Sequence, residues 1–286
     1  MSQITLDAQE APSTRAIERV YDQLSTTYEA SQFHVDLARD FIRWSKPRRG
    51  QAVLDLCTGT GLVALEAKRV VGPALGRVIG ADISDCMLEV GRRNALQEGL
   101  EIEFIQRDCS SLEWLVEDNG TFDLITCCSG LVYMPAVSLE HIISRWTQFL
   151  KPGGKLIADV PCVGSQLPFI ALNEALGEAD LEQMAVDCSW ITSLGSIRRL
   201  WEQAGLGCVE CFETRSYERR TYELANAAEA FNGMIGKVIF GDTSTADPAK
   251  IEVARRSFIR RLRELAGPDG KIVDEIKVYV AIGTKM

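Results

Sequence analysis

No apolar run in this chain of 286 residues approaches the roughly 18 needed to cross a bilayer, so no membrane-spanning helix is expected. The opening segment, residues 1–10, lacks an apolar signal core and the arginine-rich pattern of a transit peptide. Cytoplasm is therefore the expected compartment. Basic charge is in deficit, with 31 Lys and Arg against 40 Asp and Glu and a formal net charge of −9. That balance disfavours attraction to the phosphate backbone of a nucleic acid or to a membrane surface. No Gly-Lys-Ser/Thr follows the one glycine turn that ends a strand, which argues against a phosphate-cradling P-loop. Histidine occurs only twice. His141 falls opposite the apolar stripe of its helix, which leaves His34, more readily structural than basic. Nine cysteines, an odd number without a secretory signal, read as reduced thiols. On a strand, Cys208 and Cys211 point to opposite faces, as do Cys127 and Cys128, so no metal site is expected. Neither an internal repeat nor a low-complexity run is present.

What the chain does have is an apolar run, Val53, Leu54 and Leu56, that gives way to the turn Cys57-Thr-Gly-Thr-Gly61 and then to helix-forming residues. This order predicts a buried strand, a tight loop and a helix N-terminus. Gly59 and Gly61 allow a close backbone approach by a ligand, and the helix start offers unpaired N–H groups. Gly59-x-Gly61-x-x-Ala64 also fits a dinucleotide fingerprint, but Asp55 beside the loop would repel a pyrophosphate and suits a cationic ammonium instead. A second strand, 77–83, ends in Asp82, about 20 residues beyond the turn, the spacing at which a carboxylate accepts from ribose hydroxyls. Ser84 reads as the following N-cap, with Ile83 and Met87 as apolar candidates for a purine face. A third strand spans 101–108 and a fourth 121–128. Helix end, turn and fifth strand then fill 150–159.

The run Val53-Leu-Asp-Leu-Cys-Thr-Gly-Thr-Gly61 resembles motif I of the class I S-adenosylmethionine-dependent methyltransferases, with Cys57 where many members have the first glycine. The Asp82 strand end and the run Leu150-Lys-Pro-Gly-Gly-Lys155 are also similar to that family. The resemblance covers about residues 50–160. It implies a Rossmann-like, doubly wound α/β fold with a seven-stranded sheet, mostly parallel with the last strand antiparallel, plus a helical cap. It implies S-adenosylmethionine as cofactor and S-adenosylhomocysteine as product. Asp55 would face the methionine amino group, with Cys57, Thr58, Gly59 and Gly61 in the loop. Asp108 and Cys109 would hold adenine, and Ser129 would lie beside the methyl group. The segment 20–28 is similar to one found in ubiquinone/menaquinone-type and related small-molecule methyltransferases.

Three regions are expected. Residues 1–49 form an N-terminal helical lid, frayed up to about residue 13, with helices from Thr14 and from about His34 to Ser45. Residues 50–160 form the cofactor-binding core. Residues 161–286 complete the sheet and carry helical cap insertions at about 161–190 and 218–270. Within the last region, a sixth strand is expected at 209–217 and a final strand at 271–282. Between them lie a helical stretch over 222–240 and a helix begun by Asp247 and Pro248. That helix turns Ile251, Ala254, Phe258, Leu262 and Leu265 inward and sets Arg256, Arg260 and Arg263 on a solvated face.

Taken together, these features point to methyl transfer to an O, N or C atom of an apolar or aromatic metabolite, mainly by proximity and alignment. A role in secondary metabolism would suit such an acceptor. Motifs of the DNA methyltransferases are absent, and the partner is expected to be a small molecule. His34 and Tyr28 are the candidate catalytic groups, and Tyr21, Tyr28, Trp190, Phe231 and Met234 the candidate pocket lining. Two rival readings are a cofactor-binding relative that catalyses a non-methylating step such as a cyclisation, and a nicotinamide-dependent dehydrogenase. The chain is expected to be a monomer or homodimer.

Overall fold

The computed structural model describes residues 14–183, 186, 188–235 and 246–286. The frayed start expected at 1–13 and the end of the expected helical stretch, 236–240, lie outside the described residues. Helices α1 (Thr14–Leu24) and α2 (Gln32–Ser45) lead into the alternation β1 (Ala52–Leu56), α3 (Leu62–Val71), β2 (Arg77–Asp82), α4 (Asp85–Glu98), β3 (Glu103–Gln106), β4 (Phe122–Cys127), α5 (Leu139–Gln148) and β5 (Leu150–Pro161). Then follow α6 (Leu167–Glu178), α7 (Leu194–Gln203), β6 (Leu206–Glu213), β7 (Glu218–Glu223), α8 (Ala227–Ile235), α9 (Pro248–Leu265), β8 (Lys271–Ile276) and β9 (Val278–Lys285).

Seven strands form one sheet in the order β3-β2-β1-β4-β5-β9-β6. β1 to β5 run parallel, and β9 lies antiparallel between β5 and β6. The expected doubly wound fold is therefore observed. Alternation along β1 divides the core. Val53 faces a layer with Leu37 and Phe41 of α2 and Val63 and Ala67 of α3, whereas Leu54 faces Ile143 and Trp146 of α5 and Trp201 of α7. Both layers are buried, and β1 is apolar throughout except at Asp55. Chain order reverses beside β1, between β2 and β4, and this switch point opens a crevice at the strands' carboxyl ends.

Past β5 the structure departs from the expectation. The expected final strand at 271–282 is two strands, because the chain changes sheet at Lys277. β8 pairs with β7 in a separate two-stranded sheet, and β9 pairs in the main one. The Ser165 hydroxyl accepts from the Lys277 amide, and the Lys277 carbonyl accepts from the Cys162 amide, which pins the crossing. Residues 222–223, expected to be helical, end β7 instead. β6 begins at Leu206, earlier than expected, and a register shift between Gly207 and Glu210 puts Cys208 at φ +48°. That bulge breaks the simple alternation invoked for Cys208 and Cys211. Among the described residues, no cluster of His, Cys, Asp or Glu could hold a metal ion.

Helices α6, α8 and α9 with the two-stranded β7–β8 sheet build a cap with its own core of Leu172, Leu176, Phe231, Phe258, Leu262 and Ile272. Asp247 caps α9 by accepting from the Ala249 amide, as expected, but Leu265 of the expected inward stripe is 41% exposed. Arg256, Arg260 and Arg263 are exposed, as expected, and most arginines of α9 are paired. Arg256 pairs with Glu252, and Arg260 and Arg261 pair with Glu178 of α6, which also accepts from Ser257. No described helix is long and apolar enough to cross a membrane.

Candidate functional site

The crevice begins at the turn after β1. Cys57, Gly59 and Gly61 all take positive φ, at 53°, 55° and 82°. A Cβ on Gly61 would stand 2.9 Å from the Phe104 ring, so both conformation and space require glycine there. Thr58 tucks against Gly80 of β2, where a Cβ would meet its hydroxyl at 2.9 Å. The turn therefore lies flat across the ends of β1 and β2.

Two carboxylates shape it. Asp82 accepts from the Gly59 amide (2.8 Å) with one oxygen and from the Ser84 amide (3.0 Å) with the other. It is 7% exposed, and burial raises its pKa against the pull of those amides. Asp55 is buried differently from expectation. Its oxygens accept from the hydroxyls of Thr58 and Thr126, each at 2.5 Å, and from the Ala64 amide at the start of α3. Burial nevertheless lifts its pKa to about 6. At 1% exposure it braces the loop and caps the helix, and it is not among the residues that line the cavity.

The remaining predicted residues divide. Ser84 caps α4 by accepting from the Met87 amide, but Met87 itself is fully buried in the fold. Ile83 is half-buried at the crevice rim, and its carbonyl accepts from Gln106. Asp108 is exposed and accepts from the Ser110 amide, while the buried Cys109 accepts through its carbonyl from Trp146. Cys57 shares its thiol environment with Cys109 and Cys127, which locks the turn against β4. Ser129, at φ 57°, leaves β4, and its amide donates to Asp159 of β5 at 2.7 Å.

Helix α1 lies over this end of the sheet. Ser84 donates its hydroxyl to Asp22 (2.6 Å), and Tyr21 donates to Tyr133 (2.6 Å). Tyr28 sits next to Gly59 and stacks on His34, with ring centroids 4.2 Å apart and planes 7° from parallel. Burial lowers the pKa of His34 to about 4 and leaves its Nδ1 without a partner. Burial raises Tyr21 and Tyr28 well above the ordinary phenol range.

A cavity of about 800 Å³ continues from Tyr21, Tyr28, His34 and Ser129 between the sheet and the cap. Its walls are mainly apolar or aromatic, with Phe33, Val132, Phe169, Ile191 and Val278 prominent. Met234 lines it as expected. Phe231 does not, since it is 1% exposed and packs on Phe258 at 5.8 Å inside the cap core. Trp190 stands between two lining residues and packs on the main core instead. Two lining residues, Tyr133 and Asp159, were not singled out from the sequence. Asp159 follows the apolar Leu156, Ile157 and Ala158 of β5, and a carboxylate after that run is the signal for it.

Loops 57–61, 82–87, 108–111 and 128–134 hold no lysine or arginine. Such a rim gives no counter-charge to a pyrophosphate, and it suits a ligand with hydroxyls and positive charge.

Comparison with known proteins agrees with this geometry. Residues 53–154 match the family described as a methyltransferase domain. Over 149 residues the chain is 33% identical to a demethylmenaquinone methyltransferase of Bacteroides fragilis, covering 49% of this chain and 58% of that protein. Over 159 residues it is 34% identical to the ubiquinone/menaquinone biosynthesis C-methyltransferase UbiE of Pseudomonas putida, covering 53% and 60%. The chain thus spans less than two thirds of the curated relatives it matches. Among solved structures, the [4+2]-cyclase SpnF superposes with a TM-score of 0.58 at 15% identity, covering 96% of this chain and 97% of that one, a likeness of fold alone.

Proposed function

We propose that this chain, whose residues 53–154 match a methyltransferase domain, is a class I S-adenosylmethionine-dependent methyltransferase that transfers a methyl group from that cofactor to an apolar or aromatic small molecule. The observation that carries this reading is the cation-free turn 57–61, tied to Asp82 beside a large apolar cavity. The bound cofactor would supply an activated methyl on a sulfonium. Asp82 would accept from its ribose hydroxyls, and the Gly59–Gly61 turn would give close backbone approach. Ile83 and the 108–109 loop would border the base. Residues 1–49 act as a lid, 50–160 as the cofactor core, and 161–286 complete the sheet and carry the cap insertions that would bind the acceptor. Tyr21, Tyr28 and Met234 line the acceptor's space. The acceptor atom is an O, N or C nucleophile of a small metabolite, in keeping with a role in secondary metabolism.

Calorimetric titration with S-adenosylmethionine, S-adenosylhomocysteine and NAD tests the reading. We expect micromolar binding of the adenosyl pair, weakened about 10- to 100-fold in Asp82→Asn through loss of charged hydrogen bonds. Binding of NAD alone would return the turn to the dehydrogenases. Adenosyl binding without methyl transfer to any acceptor would favour a non-methylating reaction.

A further inference from the structure

We infer that Asp159 is the group that takes the acceptor's proton during transfer, and that the acceptor is accordingly a protic nucleophile of the phenol or hydroquinone class. This inference rests on the methyltransferase reading and deepens it.

The geometry isolates Asp159. It sits at the carboxyl end of β5, next to the switch point, and lines the cavity beside Ser129, Tyr28 and Tyr133. One oxygen accepts from the Ser129 amide at 2.7 Å, and among the described residues the only further donor to the carboxylate is its own backbone N–H. A carboxylate that is 1% exposed ordinarily has a cationic partner or several donors. Asp159 has neither, and lone pairs remain for a donor from the cavity.

The other ionisable groups of the wall are committed elsewhere or have unsuitable basicity. Glu174 pairs with Arg261, Glu218 with Arg220, and Asp274 accepts from the Leu167 amide. His34, with its pKa lowered to about 4, is a weak base, and the buried tyrosines hold their protons. The thiol of Cys162 is pushed up to about 12. Groups that act electrostatically with Asp159 are Tyr28 from the turn before α2, Cys127 and Cys128 from β4, Cys162 beyond β5, and Tyr217 before β7. All are neutral near pH 7, because each is raised by burial, so none of them holds Asp159 ionised. Burial alone brings it to about 7, where base strength and ionised fraction are both appreciable.

The step balances without another reagent. The acceptor's O–H oxygen forms a bond to the methyl carbon while the carbon–sulfur bond breaks and leaves its electron pair on sulfur. The proton moves from that oxygen to Asp159. Positive sulfonium and negative carboxylate are both neutralised, and the carboxyl later returns its proton to water. An aromatic protic acceptor also fits the ring-lined wall.

The test uses the full chain saturated with S-adenosylhomocysteine, ¹³C-labelled at the aspartate carboxyls, with 2-naphthol as probe. We expect one carboxyl resonance, absent in Asp159→Asn, to titrate near pH 7 and to move down by about one unit when 2-naphthol donates to it. In Asp159→Asn, S-adenosylhomocysteine should bind as in the wild type. With naphthols and hydroquinones as methyl acceptors, that variant should lose about 100-fold in kcat with KM little changed, and lose the rise of rate with pH. The inference is overturned if 2-naphthol fails to bind, if the Asp159 resonance ignores it, or if Asp159→Asn keeps the wild-type pH profile. Failure of the wild type to bind S-adenosylhomocysteine would instead overturn the methyltransferase reading itself.

Discussion

Asp55 and Asp159 are each 1% exposed and lie on neighbouring parts of the sheet, yet hydrogen bonding separates their roles. Asp55 has two hydroxyls and an amide, and its pKa is raised to about 6; Asp159 has a single amide beyond its own, and its pKa is raised to about 7. For each, the folded-state pKa exceeds the unfolded value. The stability each adds is therefore fully present below about pH 4 and is lost as pH climbs through 6 or 7. Asn at 159 can still accept from the Ser129 amide but carries no charge to desolvate. Chemical denaturation should then find Asp159→Asn more stable than the wild type at pH 8, by at most about 4 kcal/mol, with the gap closing toward pH 5. A gap that does not change with pH would contradict the burial of this charge.

At the scale of elements, the site depends on how closely the exit of β4 approaches the turn after β1. A Cβ on Gly130 would stand 2.6 Å from Cys57 Cβ and 3.0 Å from Cys127 Sγ. Gly130→Ala must therefore displace the cofactor turn. We expect a loss of about 1–3 kcal/mol in stability, as for overpacked cores, together with weaker S-adenosylhomocysteine binding. Unchanged melting and binding would show that the two loops move independently. This contact also marks the limit of what could be read from the residues alone. β1 to β5 were legible because glycine turns, Ser84 as a cap and apolar runs are local signals. The change of sheet at Lys277 was not, because residues 271–282 alternate like one strand and only tertiary pairing divides them. The roles of Asp159 and Tyr133 were hidden for the same reason. The cavity wall joins residues from α1, β5 and the cap that are distant in sequence, and Phe231, although aromatic and in the right segment, turns into the cap core.

In the whole molecule the site lies beneath α1, and the two are joined by polar contacts of modest strength. Glu18 accepts from Gln106 at 3.2 Å, Asp22 from Ser84 and Tyr133 from Tyr21. No side chain among residues 15–24 is fully buried, whereas α2 buries Leu37, Phe41 and Ile42 against the sheet. Elements with few buried apolar contacts open at low free-energy cost. A lid so attached can lift to admit a ligand to the turn at 57–61, while the sheet beneath stays intact. Hydrogen exchange should show α1 amides exchanging far faster than those of β1 in the free chain. Saturating S-adenosylhomocysteine should slow α1 by at least about tenfold, by linkage, and leave β1 unaffected. Equal protection of α1 and β1 without ligand would mean that the first helix is part of the rigid core, and access to the turn would then have to come through the cap.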